Sequence, residues 1–172
     1  MFRAKNRFMP GYSTVITPAR TCMRIHSFES ELWLPQPVEQ VFNFFSDATN
    51  LQKLTPDWLG FELLTPSPIQ IGRGTLIDYR LSLHGIPVKW QTENTAWEPP
   101  HRFVDEQRRG PYLLWVHEHR FTARENGTLV NDLVRYAVPG GWLVDRLFVR
   151  RDVEKIFQFR RARLRELFPA LP

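Results

Sequence analysis

Residues 24–54, RIHSFESELWLPQPVEQVFNFFSDATNLQKL, place one strand directly before two short helices. Apolar and charged positions alternate over residues 24–34, which predicts a half-exposed β-strand. Pro37 suits the first turn of a helix, and apolar residues at i, i+3, i+4 and i+7 over residues 38–45 predict an amphipathic helix of about two turns. A second short helical segment is predicted over residues 50–54. Two short helices directly after one strand are an informative order of elements.

Strand signals follow almost without interruption between residues 61 and 138. They are divided by turn and break signals, namely Gly85, Pro99 and Pro100, Gly110 and Pro111, and Asn126 and Gly127. The predicted strands are residues 61–64, 75–83, 86–97, 102–109, 112–122 and 129–138. Connections this short leave no room for crossover helices, so the sheet is predicted to be an antiparallel meander.

Residues 142–168 are predicted to form one long C-terminal helix. Its apolar stripe consists of Val149, Val153, Ile156, Leu164 and Leu167. Leu143 and Leu147 lie off that stripe, so the first two turns are expected to contact something different from the rest. The predicted fold is α+β, with a curved antiparallel sheet of six to seven strands wrapped around this helix. A cavity between sheet and helix is then the natural place for a ligand.

The composition fits one globular domain, because 42% of the 172 residues are hydrophobic and 24% are charged. No apolar run approaches the roughly 18 residues that a membrane span needs. A lone cysteine, Cys22, excludes an internal disulfide and a Cys-rich zinc site. These features exclude a membrane-spanning protein, a disulfide scaffold and a disordered chain. We expect a cytoplasmic protein with a single ligand-binding domain over residues 24–172.

Residues 1–23 are predicted to be a basic, disordered tail, because they show no amphipathic period. Residues 1–24 hold five basic residues and no acidic residue. That composition is weakly typical of a transit segment, and translation from an upstream start codon, with Met23 as the true beginning, explains it equally well. The sequence leaves these two explanations open.

The net charge of +5 is concentrated in the two ends of the chain. Residues 142–172 hold eight basic and four acidic residues, whereas residues 25–141 are mildly acidic overall. The acidic middle argues against nucleic-acid binding, and nothing implies an obligate protein partner. The interleaved acids favour a solvated face for the last helix. The alternative is weak contact of the basic helix and its apolar first turn, residues 142–144, with an anionic membrane surface.

Several short segments, together with four residues of one strand, carry a family resemblance. They are residues 34–42 (LPQPVEQVF), 46–47 (SD), 50–51 (NL), 97–100 (WEPP), 102–103 (RF) and 110–111 (GP), with Trp115, His117, His119 and Phe121. Through them, residues 24–168 resemble the START-like helix-grip superfamily (SRPBCC), nearest its polyketide cyclase/dehydrase and coenzyme Q-binding START-type branches. The resemblance implies a helix-grip fold and a hydrophobic ligand such as a lipid, a quinone or a polyketide. A minority of such proteins are enzymes.

The sharpest local feature is a His-x-His pair on one predicted strand. Trp115, His117 and His119 share a face of that strand, and we expect this aromatic face to point into the cavity. Two histidines can bind zinc, copper or iron if a third ligand is available, for which Asp132 and Asp105 are candidates. Because no motif fixes that third ligand, we predict no metal. The histidines are instead expected to pair with buried carboxylates and ligand oxygens.

The same parity rule predicts the residues that contact the ligand. They are Tyr79, Trp90, Asp105, Gln107, Trp115, His117, His119, Asp132, Tyr136 and Arg160. Arg160 lies within the apolar stripe of the last helix, where an unpaired charge is costly to bury. We expect Arg160 either to reach the rim or to pair with Asp105 or Asp132. Aromatic walls with few polar groups suit a mostly apolar ligand that is oriented by one polar end.

Two functional hypotheses follow from these residues. The leading hypothesis is the binding of a small hydrophobic or aromatic ligand, such as a lipid, quinone or polyketide-like molecule, with no cofactor. The alternative is a cyclase or dehydratase in which His117, His119 and Asp132 are the catalytic candidates for acid–base chemistry. Arg160 or Tyr79 would then stabilise a developing enolate. The sequence has no compulsory nucleophile, cofactor loop or metal cage, so it does not decide whether the protein is an enzyme.

Overall fold

A computed structural model of the chain describes residues 6–8 and 23–169. Its main feature is a single antiparallel sheet. The strands are β1 (Asn6–Phe8), β2 (His26–Leu34), β3 (Glu62–Leu63), β4 (Leu76–Leu83), β5 (Ile86–Glu98), β6 (Arg102–Arg109), β7 (Leu114–Arg124) and β8 (Gly127–Ala137). Their spatial order is β1-β2-β8-β7-β6-β5-β4-β3, so β3 to β8 form a meander and β2 pairs with its last strand.

Two short helical segments follow β2, as the sequence predicted. They are the helix α1 (Val38–Phe45) and a 3₁₀ helix (Ala48–Leu54). Asp47 caps the 3₁₀ helix, because its carboxylate accepts hydrogen bonds from the backbone N–H and the hydroxyl of Thr49. A further 3₁₀ turn (Asp57–Leu59) was not predicted.

The C-terminal helix consists of three continuous segments. They are α2 (Gly141–Val144), a π-helical segment (Asp145–Val149) and α3 (Arg150–Leu167). The wider π turn rotates the side chains before it relative to those in α3, which explains why the apolar stripe begins late. Leu143 and Leu147 are about half exposed, whereas Val153 and Phe157 are buried against the sheet. None of the described helices is long and apolar enough to cross a membrane.

Two apolar clusters join the helices to the sheet. In the first, Phe42 of α1 packs with Phe121 of β7 and with Leu164 near the end of α3. In the second, Phe28 of β2 packs against Phe157 in the middle of α3, with ring centroids 4.8 Å apart. Full burial of one such side chain contributes about 1.5–3 kcal/mol. The C-terminal helix is therefore held along most of its length.

The curvature of the sheet has a local cause in β5. Its register with β6 shifts between Gln91 and Thr92 and again between Asn94 and Ala96. Such bulges bend a strand and increase its twist. The predicted α+β helix-grip fold is confirmed. The short β1, which pairs with β2, was not predicted; the rest of the predicted tail up to residue 22 lies outside the described residues.

Candidate ligand cavity

A cavity of about 170 Å³ lies between the sheet and the C-terminal helix. Its walls are mainly aromatic and aliphatic. The strands contribute Ile77, Tyr79, Leu81, Leu83, Trp90, Thr92, Asn94, Trp97, Phe103 and Trp115, and the charged or titratable lining residues are Asp105, His117, His119, Asp152 and Arg160. An apolar cavity with a few convergent polar groups is the usual form of a small-molecule site.

The His-x-His pair of β7 faces this cavity, as predicted, and is joined by carboxylates from both neighbouring strands. Asp132 of β8 lies opposite His119, and its Oδ1 is 2.9 Å from His117 Nε2 and 2.7 Å from His119 Nδ1. Asp105 of β6 lies opposite His117, and its Oδ2 is 3.5 Å from His119 Nε2. We call these four residues the His117 cluster. Three adjacent strands therefore bring four titratable side chains together.

Within this cluster His117 is neutral. Burial, together with repulsion from the neighbouring His119, lowers the pKa of His117 from 6.5 to about 4. Burial alone would raise the pKa of the Asp132 carboxyl, but its contacts with the two histidines outweigh burial and hold that pKa below its usual value. Because a carboxylate can only accept, Nε2 of His117 carries the proton and Nδ1 has the lone pair.

His119 has a pKa shift opposite to that of His117. Burial disfavours its protonation, but contacts with Asp105 and Asp132 outweigh burial and raise the pKa of the imidazole. Each ring nitrogen of His119 lies near one carboxylate, Nε2 near Asp105 and Nδ1 near Asp132. The Asp132 oxygen lies close to Nδ1 but makes no aligned hydrogen bond with it. The pKa values of two adjacent imidazoles are thus shifted in opposite directions.

Aromatic side chains form the wall beside the His117 cluster. Tyr79 stacks on Trp90 with ring centroids 5.9 Å apart, and Trp90 meets the edge of Trp115 at 5.4 Å. Burial raises the pKa of the Tyr79 hydroxyl well above its usual value, so the group stays neutral and can donate a hydrogen bond. This wall offers flat apolar surfaces to a ligand.

Arg160 enters the cavity from α3, but without the predicted carboxylate partner. Its guanidinium carbon lies 5.4 Å from the centre of the Phe157 ring. Within residues 23–169, Arg160 forms no ion pair with Asp105 or Asp132, because both carboxylates face His119 instead. The expected pairing with an aspartate is therefore not found, and the side chain is half-buried among cavity residues.

Three of the predicted contact residues do not line this cavity. Gln107 braces the turn before β7, because its amide donates to the Tyr112 carbonyl oxygen at 2.8 Å and accepts from the Tyr112 N–H. Tyr136 donates its hydroxyl hydrogen to Asp145 at 2.7 Å. Asp132 lies behind the two histidines and reaches the cavity only through them. These residues share the inner face of the sheet, but packing against other elements takes them out of the lining.

Sequence reasoning missed a second wall that comes from the two 3₁₀ segments and the loops after them. It consists of Leu51, Leu54, Leu59, Phe61 and Ile71. Only the apolar character of these residues could have pointed to them, because short 3₁₀ segments and loops show no period of two or 3.6. Asp152 was also missed; it lines the cavity from α3 and accepts a 2.7 Å contact from His84 Nε2 in the β4–β5 turn.

Among the described residues, one group of side chains has the make-up of a metal site. His117, His119 and Asp132 offer ligand atoms that all lie within 4.8 Å of one another. Two imidazoles and a carboxylate suit zinc or iron. The two contacts of Asp132, however, have hydrogen-bond and ion-pair lengths, and the proton on His119 would have to leave before a metal could bind. Asp132 Oδ1, which a metal would need as a ligand, is thus already in contact with both imidazoles.

A family match covers most of the chain. Residues 34–165 match the model of a family described as polyketide cyclase / dehydrase and lipid transport. The chain belongs to this family. The match confirms the resemblance inferred from the sequence, and the matched range contains the whole cavity lining that the strands and α3 provide. No curated protein matches the sequence.

Solved structures share the fold of this chain. Protein CV1439 from Chromobacterium violaceum superposes with a TM-score of 0.65 at 16% identity, covering 83% of this chain and 96% of that one. Ara h 8.0201 gives a TM-score of 0.62 at 17% identity, covering 84% and 98%. The di-domain ARO/CYC BexL from the BE-7585A biosynthetic pathway gives 0.63 at 21% identity, and the match covers 86% of this chain but 51% of BexL. At these identities the likeness shows the fold alone.

Proposed function

We propose that the protein binds a small hydrophobic or aromatic ligand, such as a lipid, a quinone or a polyketide-like molecule, in the cavity between sheet and C-terminal helix. The observation that carries the proposal is the make-up of the lining. Most lining residues are aromatic or aliphatic, and the polar groups Asp105, His119 and Arg160 also line a small recess together. A ligand would bury its apolar body against Tyr79 and Trp90 and turn a polar end toward that group.

The proposal also includes a cellular setting and a partner class. We place the protein in the cytoplasm as a single domain over residues 24–172, with a small molecule as its partner. The single cysteine of the sequence is in keeping with a reducing compartment. Neither nucleic acid nor an obligate protein partner belongs to the proposal, since residues 25–141 are mildly acidic.

A cavity-filling variant tests ligand binding. We expect the neutral fluorophore N-phenyl-1-naphthylamine to bind the wild-type protein, and Leu81→Trp to weaken its affinity at least about tenfold by filling the space. The matched control is Leu76→Trp on the same strand, because Leu76 is 47% exposed and lies on the opposite face. Equal affinities in both variants would show that the fluorophore binds elsewhere.

The split between the two histidines supports a second candidate, a cyclase or dehydratase acting on a polyketide-like substrate. Neutral His117 can accept a proton through Nδ1 from a C–H next to a carbonyl, while protonated His119 can deliver one to a departing hydroxyl. Arg160 or Tyr79 would stabilise the enolate formed in between. The 3.5 Å contact of His119 Nε2 with Asp105 is long enough for a substrate oxygen to replace it.

Histidine replacement separates the two candidates. For a binding protein, His117→Gln and His119→Gln should change the affinity for N-phenyl-1-naphthylamine by less than about tenfold. For an enzyme, loss of the acid or base should lower the rate by about 10²–10⁴. The rate is measured as dehydration of an aromatic β-hydroxyketone, followed by the absorbance of the conjugated product. No turnover by the wild-type protein would remove the enzyme candidate.

The start of the C-terminal helix supports the proposal of weak contact with an anionic membrane surface. Trp142, Leu143, Leu147 and Phe148 are each about half exposed, and Arg146 and Arg151 are exposed among them. Apolar side chains flanked by cations favour an anionic lipid surface. We expect cosedimentation with vesicles of phosphatidylcholine and phosphatidylserine at low salt, and its loss in Phe148→Ser. Trp58→Ser, at an exposed site elsewhere, is the control; binding that is insensitive to salt would contradict the proposal.

A further inference from the structure

We infer that Arg160 selects ligands that end in a carboxylate, so that the preferred ligand is a small apolar or aromatic carboxylic acid. This inference rests on the proposed function, because it names the ligand class of the same cavity. It depends on three features of Arg160: its neighbours on the helix, its neighbours across the cavity, and the size of the space beside it.

On its own helix, Arg160 has no acidic neighbour. The residues three and four positions away are Ile156, Phe157, Arg163 and Leu164. On a helix only residues at these spacings face one another, so no side chain of α3 can neutralise Arg160. Other arginines of α3 do have such partners: Arg150 lies 3.7 Å from Glu154, and Arg163 lies 2.8 Å from Glu166.

Across the cavity, the carboxylates are already in use. Asp132 lies 2.7 Å from His119 Nδ1, and Asp105 lies 3.5 Å from His119 Nε2. Within residues 23–169, the Arg160 guanidinium has no hydrogen bond or ion pair, and it lies 5.4 Å from the centre of the Phe157 ring. Such a cation–π contact is worth about 0.5–2 kcal/mol and does not neutralise the charge. The cavity therefore holds a half-buried cation that has no carboxylate partner among the described residues.

A carboxylate on the ligand suits the Arg160 guanidinium better than an ester or ketone oxygen does. The guanidinium stays charged at any physiological pH, and its parallel N–H groups match both oxygens of a carboxylate. An ester or ketone oxygen accepts hydrogen bonds but leaves the charge unmatched. Asp105 and His119 line a small recess together with Arg160, so Asp105 is the anion that competes with the ligand.

The size of the cavity sets the size of the acid. Its volume of about 170 Å³ is close to that of an apolar cavity of about 150 Å³ that accepts benzene. One or two rings fit within such a space, and the open side leaves room for the third ring of N-phenyl-1-naphthylamine. We therefore choose 2-naphthoate as the probe and its methyl ester as the uncharged match of nearly the same shape.

The experiment measures the affinity of both probes by titration calorimetry at pH 7. We expect the wild-type protein to bind 2-naphthoate at least about tenfold more tightly than the ester. Arg160→Gln should weaken naphthoate binding about 10- to 100-fold and change ester binding by less than about threefold. Arg160→Lys keeps the charge but not the paired donors, so its naphthoate affinity should lie between those of the wild type and Arg160→Gln. Arg163→Gln, one turn further along α3, should change neither the naphthoate affinity nor the ester affinity.

Replacement of Asp105, the anion that competes with the ligand carboxylate, should change naphthoate affinity in the direction opposite to Arg160→Gln. Asp105→Asn should raise the affinity for naphthoate relative to that for the ester, because it removes a negative charge beside the incoming carboxylate. Thermal unfolding of each variant shows that the comparison is made between folded proteins.

Three results would overturn the inference. The first is equal affinity of the wild-type protein for acid and ester. The second is an equal loss of affinity for both probes in Arg160→Gln, and the third is tight acid binding that persists in that variant. In each case, binding of N-phenyl-1-naphthylamine shows whether the cavity itself binds ligands. If that fluorophore binds while naphthoate does not, only the selection of acids is wrong. If no probe binds, the proposed function is wrong as well.

Discussion

Two buried histidine–carboxylate clusters lie on the inner face of the same sheet, and they differ in where the carboxylate comes from. In the His117 cluster, all four residues belong to strands. In the second, which we call the His26 cluster, His26 and Tyr136 belong to adjacent strands and Asp145 belongs to the π-helical segment. Asp145 Oδ2 lies 3.0 Å from His26 Nδ1, and its Oδ1 accepts from the Tyr136 hydroxyl at 2.7 Å.

The origin of the carboxylate goes with a different role for each cluster: the His26 cluster joins two elements of the fold, and the His117 cluster faces the cavity. The carboxylate of Asp145 ties the helix to the sheet, and none of the three residues of the His26 cluster lines the cavity. Burial lowers the pKa of His26 more than Asp145 raises it, so the imidazole is neutral and Asp145 only accepts hydrogen bonds. The His117 cluster instead contains a histidine, His119, whose pKa the neighbouring carboxylates raise, and it faces the cavity. A buried histidine–aspartate pair therefore indicates a functional site only when it faces free space.

The largest predicted effect concerns the two carboxylates of these clusters. Asp132→Asn should lower the free energy of unfolding by about 3–5 kcal/mol, because it leaves the buried His119 imidazolium without its nearest counterion. Asp145→Asn should lower it by about 1–2 kcal/mol, because the amide oxygen still accepts from Tyr136 and His26 carries no charge. Urea unfolding at pH 7 measures both values. Equal losses would show that His119 is not held as a cation.

An intermediate effect is expected in the pH dependence of stability. His117 binds its proton more weakly in the folded chain, with a pKa of about 4 against 6.5. The unfolded state therefore takes up a proton first, and this contribution to stability is lost as the pH falls from 6.5 toward 4. His119 has the opposite sign, because its raised pKa gives a contribution that is lost as the pH rises through the folded value.

Urea midpoints at pH 7.5 and pH 5 isolate the contribution of His117. We expect His117→Gln to reduce the loss of stability between these two values by about 2 kcal/mol relative to the wild type. An unchanged pH dependence in His117→Gln would show that His117 binds its proton equally well in the folded and the unfolded chain.

The sequence predicted most of the fold because local patterns determine it. Strand alternation, the proline and glycine breaks and the late apolar stripe of the C-terminal helix all depend on neighbours within a few residues. The same parity correctly oriented His117 and His119 toward the cavity. The pairing of the histidines with carboxylates of the neighbouring strands was also predictable, since adjacent antiparallel strands place inward residues such as Asp105, Asp132 and His119 side by side.

The remaining details depend on contacts between distant elements. The period of β8 places Tyr136 inward, but only the docking of Asp145 above it shows that its hydroxyl is occupied. Gln107 is likewise inward by parity and is taken up by the backbone of Tyr112. The apolar wall around Leu59 and Phe61 lies in segments without a period. Local patterns thus give the direction of a side chain but not its partner.

The smallest predicted effect tests the separation of the two clusters directly. Tyr136→Phe removes the hydroxyl that donates to Asp145, so it should lower the free energy of unfolding by about 1–2 kcal/mol. The affinity for N-phenyl-1-naphthylamine should stay unchanged, because Tyr136 is outside the cavity lining. Tyr79→Phe is the matched control, since Tyr79 lines the cavity. It should alter the affinity for 2-naphthoate more than the stability. If Tyr136→Phe instead weakens ligand binding as much as Tyr79→Phe does, the helix anchor and the cavity are coupled, and the His26 cluster sets the position of α3 over the ligand.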